Sequence, residues 1–188
     1  MSRDLRISRL GLTVAKFAVA RSVHFLMRYS RKWGDISFIG GHEMERDGGK
    51  LSRTAYRETM EEVPGFRGAQ RITLEPLTEE FCYGPIFSRS AQIDTGYELQ
   101  FFLLKFFTSP SEIIAAFGPR TANLLVPLEE LRSTSNKNVS ELVRILEWAY
   151  PGGLEAIPFS WENEINPSNV TSDRGLSEQL HLHLQTRG

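Results

Sequence analysis

The N-terminal part of the chain carries the alternation of apolar and polar positions that is typical of β-strands. In 21–29 an apolar residue occupies every second position from Val23 to Met27, which is the period of a strand with one buried face. The preceding segment, 5–20, is rich in strand-forming residues, and 35–39 predicts a further short strand. We therefore expect this part of the chain to contribute several strands to a sheet.

Two later segments have the composition and spacing of helices. Ser52 is a favourable N-cap, and 53–62 has helical composition as far as the Pro64-Gly65 pair. In 139–150 apolar residues recur at helical spacing, which predicts an amphipathic helix. Further strands are expected at 71–75, 79–83, 97–108 and 123–127, and short helices at 111–117 and 128–132. This mixture of elements predicts an α/β protein.

Length and composition are those of one globular domain. The 188 residues are 40% hydrophobic and 24% charged, with a net charge of −1, so the overall charge gives no strong nucleic-acid or membrane signal. The single cysteine, Cys82, excludes an intrachain disulfide, and no apolar run approaches the ~20 residues that span a bilayer. We expect a cytoplasmic protein with one domain over 1–153 and a partly polar, flexible extension over 154–188.

Three glutamates carry the most informative chemistry. If 53–62 is a helix, Glu58, Glu61 and Glu62 lie at positions i, i+3 and i+4 and share one face. Their mutual repulsion costs ~0.2–0.5 kcal/mol per pair, and a hard divalent cation such as Mg²⁺ removes it. Arg57 is placed to pair with a carboxylate and orient it. The same pattern is also typical of a solvated acidic helix face, so its context decides the interpretation.

That context is a strand, a glycine pair, a polar loop and the acidic helix. Gly40 and Gly41 allow close backbone approach, so a glycine carbonyl can also reach a metal. The segments Asp35–Gly41 and Ala55–Glu62 resemble the Nudix box, whose pattern is G-x5-E-x7-R-E-U-x-E-E-x-G-U with U apolar. The resemblance covers about residues 8–150 and places a known family pattern on the glutamates.

Individual positions of the box are matched as follows. Gly41 resembles the opening glycine, Arg57 and Glu58 the Arg-Glu pair, and Glu61 and Glu62 the paired glutamates. By this resemblance Glu58, Glu61, Glu62 and Gly41 would hold the metal, and Arg57 would orient a glutamate.

The chain departs from the family pattern in the loop. Gly41 and Arg57 have 15 residues between them where the family has 13, and the position of the loop glutamate is taken by Gly49. Pro64 occupies the position of the last glycine of the pattern. Three loop carboxylates are candidates to replace the missing glutamate: Glu43, Glu45 and Asp47.

The Nudix resemblance implies a fold and a reaction. The fold is an α/β/α sandwich with a mixed β-sheet, in which the box forms a loop, a helix and a loop on one side. The reaction is hydrolysis of a pyrophosphate bond in a nucleoside diphosphate derivative, with Mg²⁺ or Mn²⁺ as cofactor. The clustered carboxylates suit that chemistry, because the charge of a pyrophosphate needs cations and the cations need oxygen ligands.

Further candidate residues lie outside the box. Our prediction for the general base is Glu98, at the start of a strand, with Glu79 and Glu80 as weaker candidates. Aromatic side chains could stack on the leaving group and arginines could contact phosphate. The substrate-binding candidates are Arg28, Tyr83, Phe87, Arg89 and Tyr97. For each one, the alternative is an ordinary core aromatic or a solvated charge.

Two other functions stay open at this point. One is a non-hydrolytic Nudix-like module that binds a nucleotide or regulates a partner through the same cleft. The other is a structural interaction protein in which 155–188 carries the binding and the helix carboxylates stay solvated. A homodimer is also left open. Metal occupancy at the glutamates would separate the hydrolase from the non-hydrolytic module.

Overall fold

The computed structural model describes residues 6–63, 65–66, 72–88, 91–115, 122–133 and 137–165. Within these ranges, nine strands form two sheets, and five α-helices accompany them. The strands are β1 (Arg6–Val14), β2 (Lys16–Val19), β3 (Ser22–Ser30), β4 (Asp35–Ser37), β5 (Ile39–His42), β6 (Ile72–Pro76), β7 (Phe81–Ser88), β8 (Ile93–Phe106) and β9 (Asn123–Pro127). The helices are α1 (Leu51–Glu62), α2 (Ser111–Ala115), α3 (Leu128–Arg132), α4 (Glu141–Ala149) and α5 (Gly153–Ala156).

The first sheet is mixed, as the sequence predicted. Strand β1 pairs in parallel with β8 and antiparallel with β5, while β6 and β7 pair antiparallel with successive parts of β8. The second sheet is antiparallel and is built around β3, which pairs with β2, β4 and β9. We call these the mixed sheet and the antiparallel sheet.

The main core is formed by alternate residues of strands from both sheets. Leu12 of β1 and Phe101 of β8 are buried on the same face of the mixed sheet as Leu99 and Leu103. Phe25 and Met27 of β3 meet them from the antiparallel sheet, and α4 adds Leu146. The alternation that predicted β3 therefore marks its buried face, because successive side chains of a strand point to opposite sides.

Helix α1 packs on the other face of the mixed sheet at very short range. A Cβ atom on Gly11 of β1 would lie 2.9 Å from the backbone nitrogen of Ala55 and closer still to the carbonyl of Leu51. One turn further along, the hydroxyls of Thr13 and Thr59 are 2.9 Å apart and both are buried. The acidic helix is therefore fixed on the sheet through β1.

Element bounds differ from the sequence predictions at several ends. Helix α1 begins at Leu51, and the cap position is Lys50 without a side-chain cap, so the prediction of Ser52 as N-cap is wrong. Helix α4 begins at Glu141 with Ser140 as its N-cap, two residues later than predicted. Strand β8 begins at Ile93, four residues earlier than predicted. Helix and strand ends depend on tertiary packing, and periodicity alone places them only approximately.

The segment that follows α4 is part of the core. Leu154 and Ile157 are buried in the main cluster, and Ile165 bridges to Val19 of β2. The buried Lys16 donates from Nζ to the carbonyls of Glu155 at 2.5 Å and Ile157 at 2.7 Å. A domain that ends at residue 153 would cut through this core, so the predicted boundary is too early. The remainder of the predicted extension, 166–188, lies outside the described residues.

Among the helices of the described ranges, none has the length and hydropathy needed to cross a membrane.

Candidate functional site

A cleft of about 710 Å³ opens between the mixed sheet, β3 and helix α4. Its lining includes Gly40, Gly41 and Glu62 at one side and the aromatic side chains of Trp33, Tyr83 and Tyr97. Of the three glutamates on α1, Glu62 is the one that reaches this cleft. The cleft is therefore the place where the predicted chemistry and the predicted aromatic residues come closest together.

Glu62 is held by Arg28 at the edge of the cleft. Arg28 Nε lies 3.1 Å from Glu62 Oε1, and Arg28 Nη1 donates to the main-chain carbonyl of the same residue at 3.2 Å. Burial raises the pKa of the Glu62 carboxyl to about 7, with Arg28 opposing the shift and Glu58 adding to it. A divalent cation at this position would favour the ionised carboxylate. Arg28 was predicted to contact phosphate, and instead it is engaged by Glu62.

Glu58 lies against the glycine pair of β5. A Cβ on Gly41 would fall 2.5 Å from Glu58 Oε1, so only glycine leaves room for this carboxylate. Arg57 Nη1 donates to the same oxygen at 2.5 Å, which is the orienting contact that the sequence predicted. The backbone of Gly40 lies close enough to the Glu62 carboxyl to oppose the rise of its pKa, so two carboxylates of α1 lie at adjacent residues of β5.

A buried aspartate of the loop, Asp47, pairs with Arg57. Asp47 is 4% exposed at its side chain and accepts hydrogen bonds from Arg57 Nη2, from the hydroxyl of Thr54 and from the backbone of Met44, each at 3.0 Å. Arg57 holds the pKa of the Asp47 carboxyl well below its usual range. Of the three loop carboxylates that the sequence left open, the structure brings Asp47 to Arg57.

Glu61 is the most exposed of the three glutamates. Its side chain is 45% exposed and pairs with Arg46 at 2.9 Å and with Arg57 at 3.4 Å. In the described part of the chain, no group of three or more His, Cys, Asp or Glu side chains is arranged to hold a metal. The donors nevertheless fit a hard divalent cation in kind, because Glu58 and Glu62 present carboxylate oxygens beside the half-buried backbone of Gly40 and Gly41.

Glu98, the predicted base, belongs to a separate cluster of three carboxylates around Arg9. Arg9 of β1 donates to Glu98 at 2.7 Å, to Glu43 at 2.6 Å and to Glu80 at 2.8 Å. Arg9 also donates to the carbonyl of Gly49, close to the start of α1. Since Tyr97 lines the cleft, its neighbour Glu98 points to the opposite face of β8, where α1 packs. The structure does not bring Glu98 into the cleft.

The predicted aromatic residues do line the cleft. Tyr83, Phe87 and Tyr97 all contribute to its wall. The hydroxyl of Tyr83 donates to Glu141 of α4 at 2.7 Å, which links the mixed sheet to α4. Arg89, the other predicted substrate contact, lies outside the described residues.

Sequence reasoning missed two residues that shape the site. Asn123 of β9 donates from Nδ2 to the carbonyl of Glu62 at 2.9 Å, and Arg9 gathers three carboxylates. No local pattern marks Asn123, because its partner is 61 positions away in the chain. Arg9 stands out only as one of several basic residues near the N-terminus.

Comparison with protein-family models gives no match, and comparison with curated proteins gives no significant match. Solved structures do match. NrtR from Shewanella oneidensis superimposes with a TM-score of 0.51 at 16% identity, over 77% of this chain and 61% of NrtR, so the chain spans about three fifths of that protein's length. A NUDIX hydrolase from Alicyclobacillus acidocaldarius gives 0.49 at 15% identity, over 82% of this chain and 96% of that chain. The Ap4A hydrolase of C. elegans gives 0.43 at 15% identity, over 66% and 83%.

The predicted Nudix fold is confirmed. The mixed sheet, the loop that follows β5 and the helix α1 on one face of the sheet are the arrangement that the resemblance implied, and the fold superimposes on that of NrtR. At identities of 15–16% the likeness concerns the fold alone. Activity has to be argued from the site itself.

Proposed function

We propose that the protein is a Nudix-type hydrolase that uses Mg²⁺ or Mn²⁺ to cleave a pyrophosphate bond in a nucleoside diphosphate derivative. The observation that supports it most is the meeting of Glu58 and Glu62 at Gly40 and Gly41, beside a cleft of about 710 Å³. Carboxylates gathered at the rim of a cleft are what a metal-dependent phosphate chemistry needs.

Each residue of the box has a role in this proposal. Glu58, Glu61 and Glu62 would hold the metal together with the carbonyl of Gly41. When bound, the cation would neutralise phosphate charge and activate water. Arg57 orients Glu58 by the 2.5 Å hydrogen bond between them.

Asp47 would support the box through its contact with Arg57. It holds the Arg57 guanidinium by a buried ion pair at 3.0 Å. The box can thus keep a fixed Arg57 without the loop glutamate of the family pattern.

The aromatic wall of the cleft would receive the organic part of the substrate. Tyr83, Phe87 and Tyr97 offer faces for stacking. Arg31 and Lys32 also line the cleft, and they replace Arg28 as our candidates for a phosphate contact. Glu98 stays a candidate base, and it would first have to leave Arg9.

The proposal is tested by turnover of a panel of nucleoside diphosphate derivatives with Mg²⁺, with Mn²⁺ and with chelator. We expect turnover to require the cation. Glu61→Gln and Glu62→Gln keep the side-chain shape and remove charge, so each should lower the rate by orders of magnitude and weaken Mn²⁺ binding. Glu45→Gln, in the exposed part of the loop, is the matched control. Full activity and metal affinity in both helix variants would exclude the mechanism.

A non-hydrolytic regulatory module is the second candidate. Glu61 is the most exposed of the three glutamates and is paired with Arg46, and the spacing of the box is altered. Both features would weaken metal binding. The structural neighbour NrtR has been crystallised with a 27-mer DNA. Tight binding of a nucleotide from the panel without turnover, at saturating Mg²⁺, would favour this candidate.

A further inference from the structure

Two donors from the antiparallel sheet converge on the last residue of α1. Arg28 of β3 binds both the carboxylate and the carbonyl of Glu62, at 3.1 and 3.2 Å. Asn123 of β9 donates to the same carbonyl at 2.9 Å. Arg28 and Asn123 are direct partners in the register of β3 and β9. One cross-strand pair of the antiparallel sheet therefore binds the end of a helix that packs on the mixed sheet.

The end of a helix needs such donors. The last carbonyls of an α-helix have no partner within the helix, and a cation near them also interacts favourably with the helix dipole. Glu62 is the last residue of α1, so its side chain sits where a helix frays most easily. Asn123 is fully buried, which makes its hydrogen bond to this carbonyl a well-shielded one.

We propose that Arg28 and Asn123 are positioning residues that set the divalent-cation affinity of Glu62. This inference rests on the proposed function, since it takes Glu62 to be a metal ligand. Asn123 fixes the backbone of Glu62, and Arg28 fixes both the backbone and one carboxylate oxygen, Oε1. A carboxylate accepts through both of its oxygens, so a cation would bind through the oxygen that Arg28 does not engage.

This role differs from the phosphate contact that the sequence predicted for Arg28. A phosphate-binding arginine would act only when nucleotide is present. A positioning arginine acts on the metal-free and metal-bound protein alike. Binding of Mn²⁺ in the absence of any nucleotide therefore separates the two roles.

The test is a Mn²⁺ titration of the full chain, followed by the electron paramagnetic resonance signal of the free ion. We expect Arg28→Met and Asn123→Leu each to weaken Mn²⁺ binding ~10- to 100-fold, the usual effect of losing a group that orients a metal ligand. Leu154→Ala is the matched control, because Leu154 is buried in the main core and does not line the cleft. It should lower the melting temperature and leave Mn²⁺ affinity unchanged.

The same substitutions in a Glu62→Gln background complete the test. There Arg28→Met and Asn123→Leu should still lower the melting temperature but cause no further loss of Mn²⁺ affinity, because the ligand they position is already gone. If Asn123→Leu fails to fold, Arg28→Met decides, since Arg28 is partly exposed.

Three results overturn the inference, and they are distinguishable. If wild-type protein binds Mn²⁺ and Arg28→Met binds it equally well, Glu62 needs no positioning and the inference alone is wrong. If Leu154→Ala weakens Mn²⁺ binding as much as the two variants do, the effect is general destabilisation and the inference is again wrong. If wild-type protein binds no Mn²⁺, the proposed function fails and the inference fails with it.

Discussion

At the scale of single residues, Arg57 is paired with a buried carboxylate that lies at a different position in the chain from the family's loop glutamate. The glutamate expected at position 49 is a glycine, yet Arg57 still has a buried acidic partner in Asp47. The Asp47 carboxylate reaches Arg57 from two positions nearer the N-terminus of the chain, and Asp47 is the last residue of the 3-10 turn Glu45–Asp47. The ion pair with Arg57 is thus formed by a carboxylate that the fold of the loop brings close, and not by a residue at the family's position in the sequence.

Asp47→Asn should destabilise the protein strongly at neutral pH. It removes one charged partner of Arg57, whose side chain is 11% exposed and which keeps Glu58 and Glu61, and the loss of hydrogen bonds to a charged group costs about 1.5–3 kcal/mol. Because the pKa of Asp47 is lowered in the folded protein, its contribution is present above about pH 4, the ordinary pKa, and is lost as the pH falls below it. Urea unfolding at pH 7 and pH 3 should show the wild-type advantage shrinking. Glu45→Gln serves as the control, and an advantage that is equal at both pH values would contradict this account.

At the scale of elements, the two helices that border the cleft begin in different ways. Ser140 accepts a hydrogen bond from the backbone of Leu142 at 3.4 Å and caps α4. Ser52 has the composition of a cap, but it lies inside α1, after Leu51 has begun the helix. Leu51 is buried against the mixed sheet. Burial of this leucine explains why α1 starts there.

Ser140→Ala and Ser52→Ala should therefore differ in stability. Loss of a capping side chain costs ~0.5–2 kcal/mol, and the long hydrogen bond of Ser140 places it near the lower end. Ser52→Ala should be neutral or slightly stabilising, because alanine has the higher helix propensity. Denaturant midpoints of the two variants, compared at equal m-value, measure the difference. A larger loss for Ser52→Ala would mean that the serine does cap the helix.

The packing of α1 on β1 gives a second prediction at this scale. Gly11→Ala places a methyl group against the backbone of Leu51 and Ala55, so α1 must move away from the sheet. Overpacking of this kind costs about 1–3 kcal/mol or more. The helix carries Glu58 and Glu62, so Mn²⁺ affinity should fall as well.

Gly34→Ala is the comparison variant for this prediction. Its new methyl group meets nothing within 4 Å, although the backbone has a φ of +68°, which costs ~1–2 kcal/mol. It should lower the melting temperature without changing Mn²⁺ binding. Equal Mn²⁺ affinities in both variants would show that the distance between α1 and β1 does not matter to the site.

At the scale of the whole molecule, the segment after α4 closes the core. Ser160 accepts from the backbone of Lys16 at 3.0 Å, and its own backbone pairs with both Lys16 and Phe106. Phe159 lies over the Lys16 ammonium at 4.8 Å. Burial lowers the pKa of Lys16, and the carbonyls it binds belong to this same segment.

A chain shortened to end at residue 153 should be far less stable than one that ends at residue 165. It lacks Leu154 and Ile157, whose loss from a core costs about 2–5 kcal/mol each, and it leaves Lys16 buried without its acceptors. At about 2–4 °C per kcal/mol for a domain of this size, its melting temperature should be lower by ~10 °C or more. Calorimetry of the two shortened chains decides this, and similar melting temperatures would restore the boundary at 153.

Much of the fold could be predicted from local patterns. The alternation in β3, the helical spacing in α4 and the carboxylates on one face of α1 are all properties of neighbouring residues. Strand and helix periods act over a few positions, so a sequence reveals them directly. The resemblance to the Nudix box then implied the order of the remaining elements, and the fold confirms it.

The sequence by itself determined most of the strands and helices and which face of α1 is acidic, but not the helix Gly153–Ala156 or the division of 5–20 into two strands. The tertiary structure alone decided which partner each charged group finds. Arg28 meets Glu62 across 34 positions, and Arg9 meets Glu98 across 89. Both arginine contacts engage a residue that was predicted to act on the substrate: Arg28 itself in the first and Glu98 in the second. The physical reason is that a charge brought into a partly buried site must be paired, and only the packing of the two sheets and α1 determines which charges are brought together.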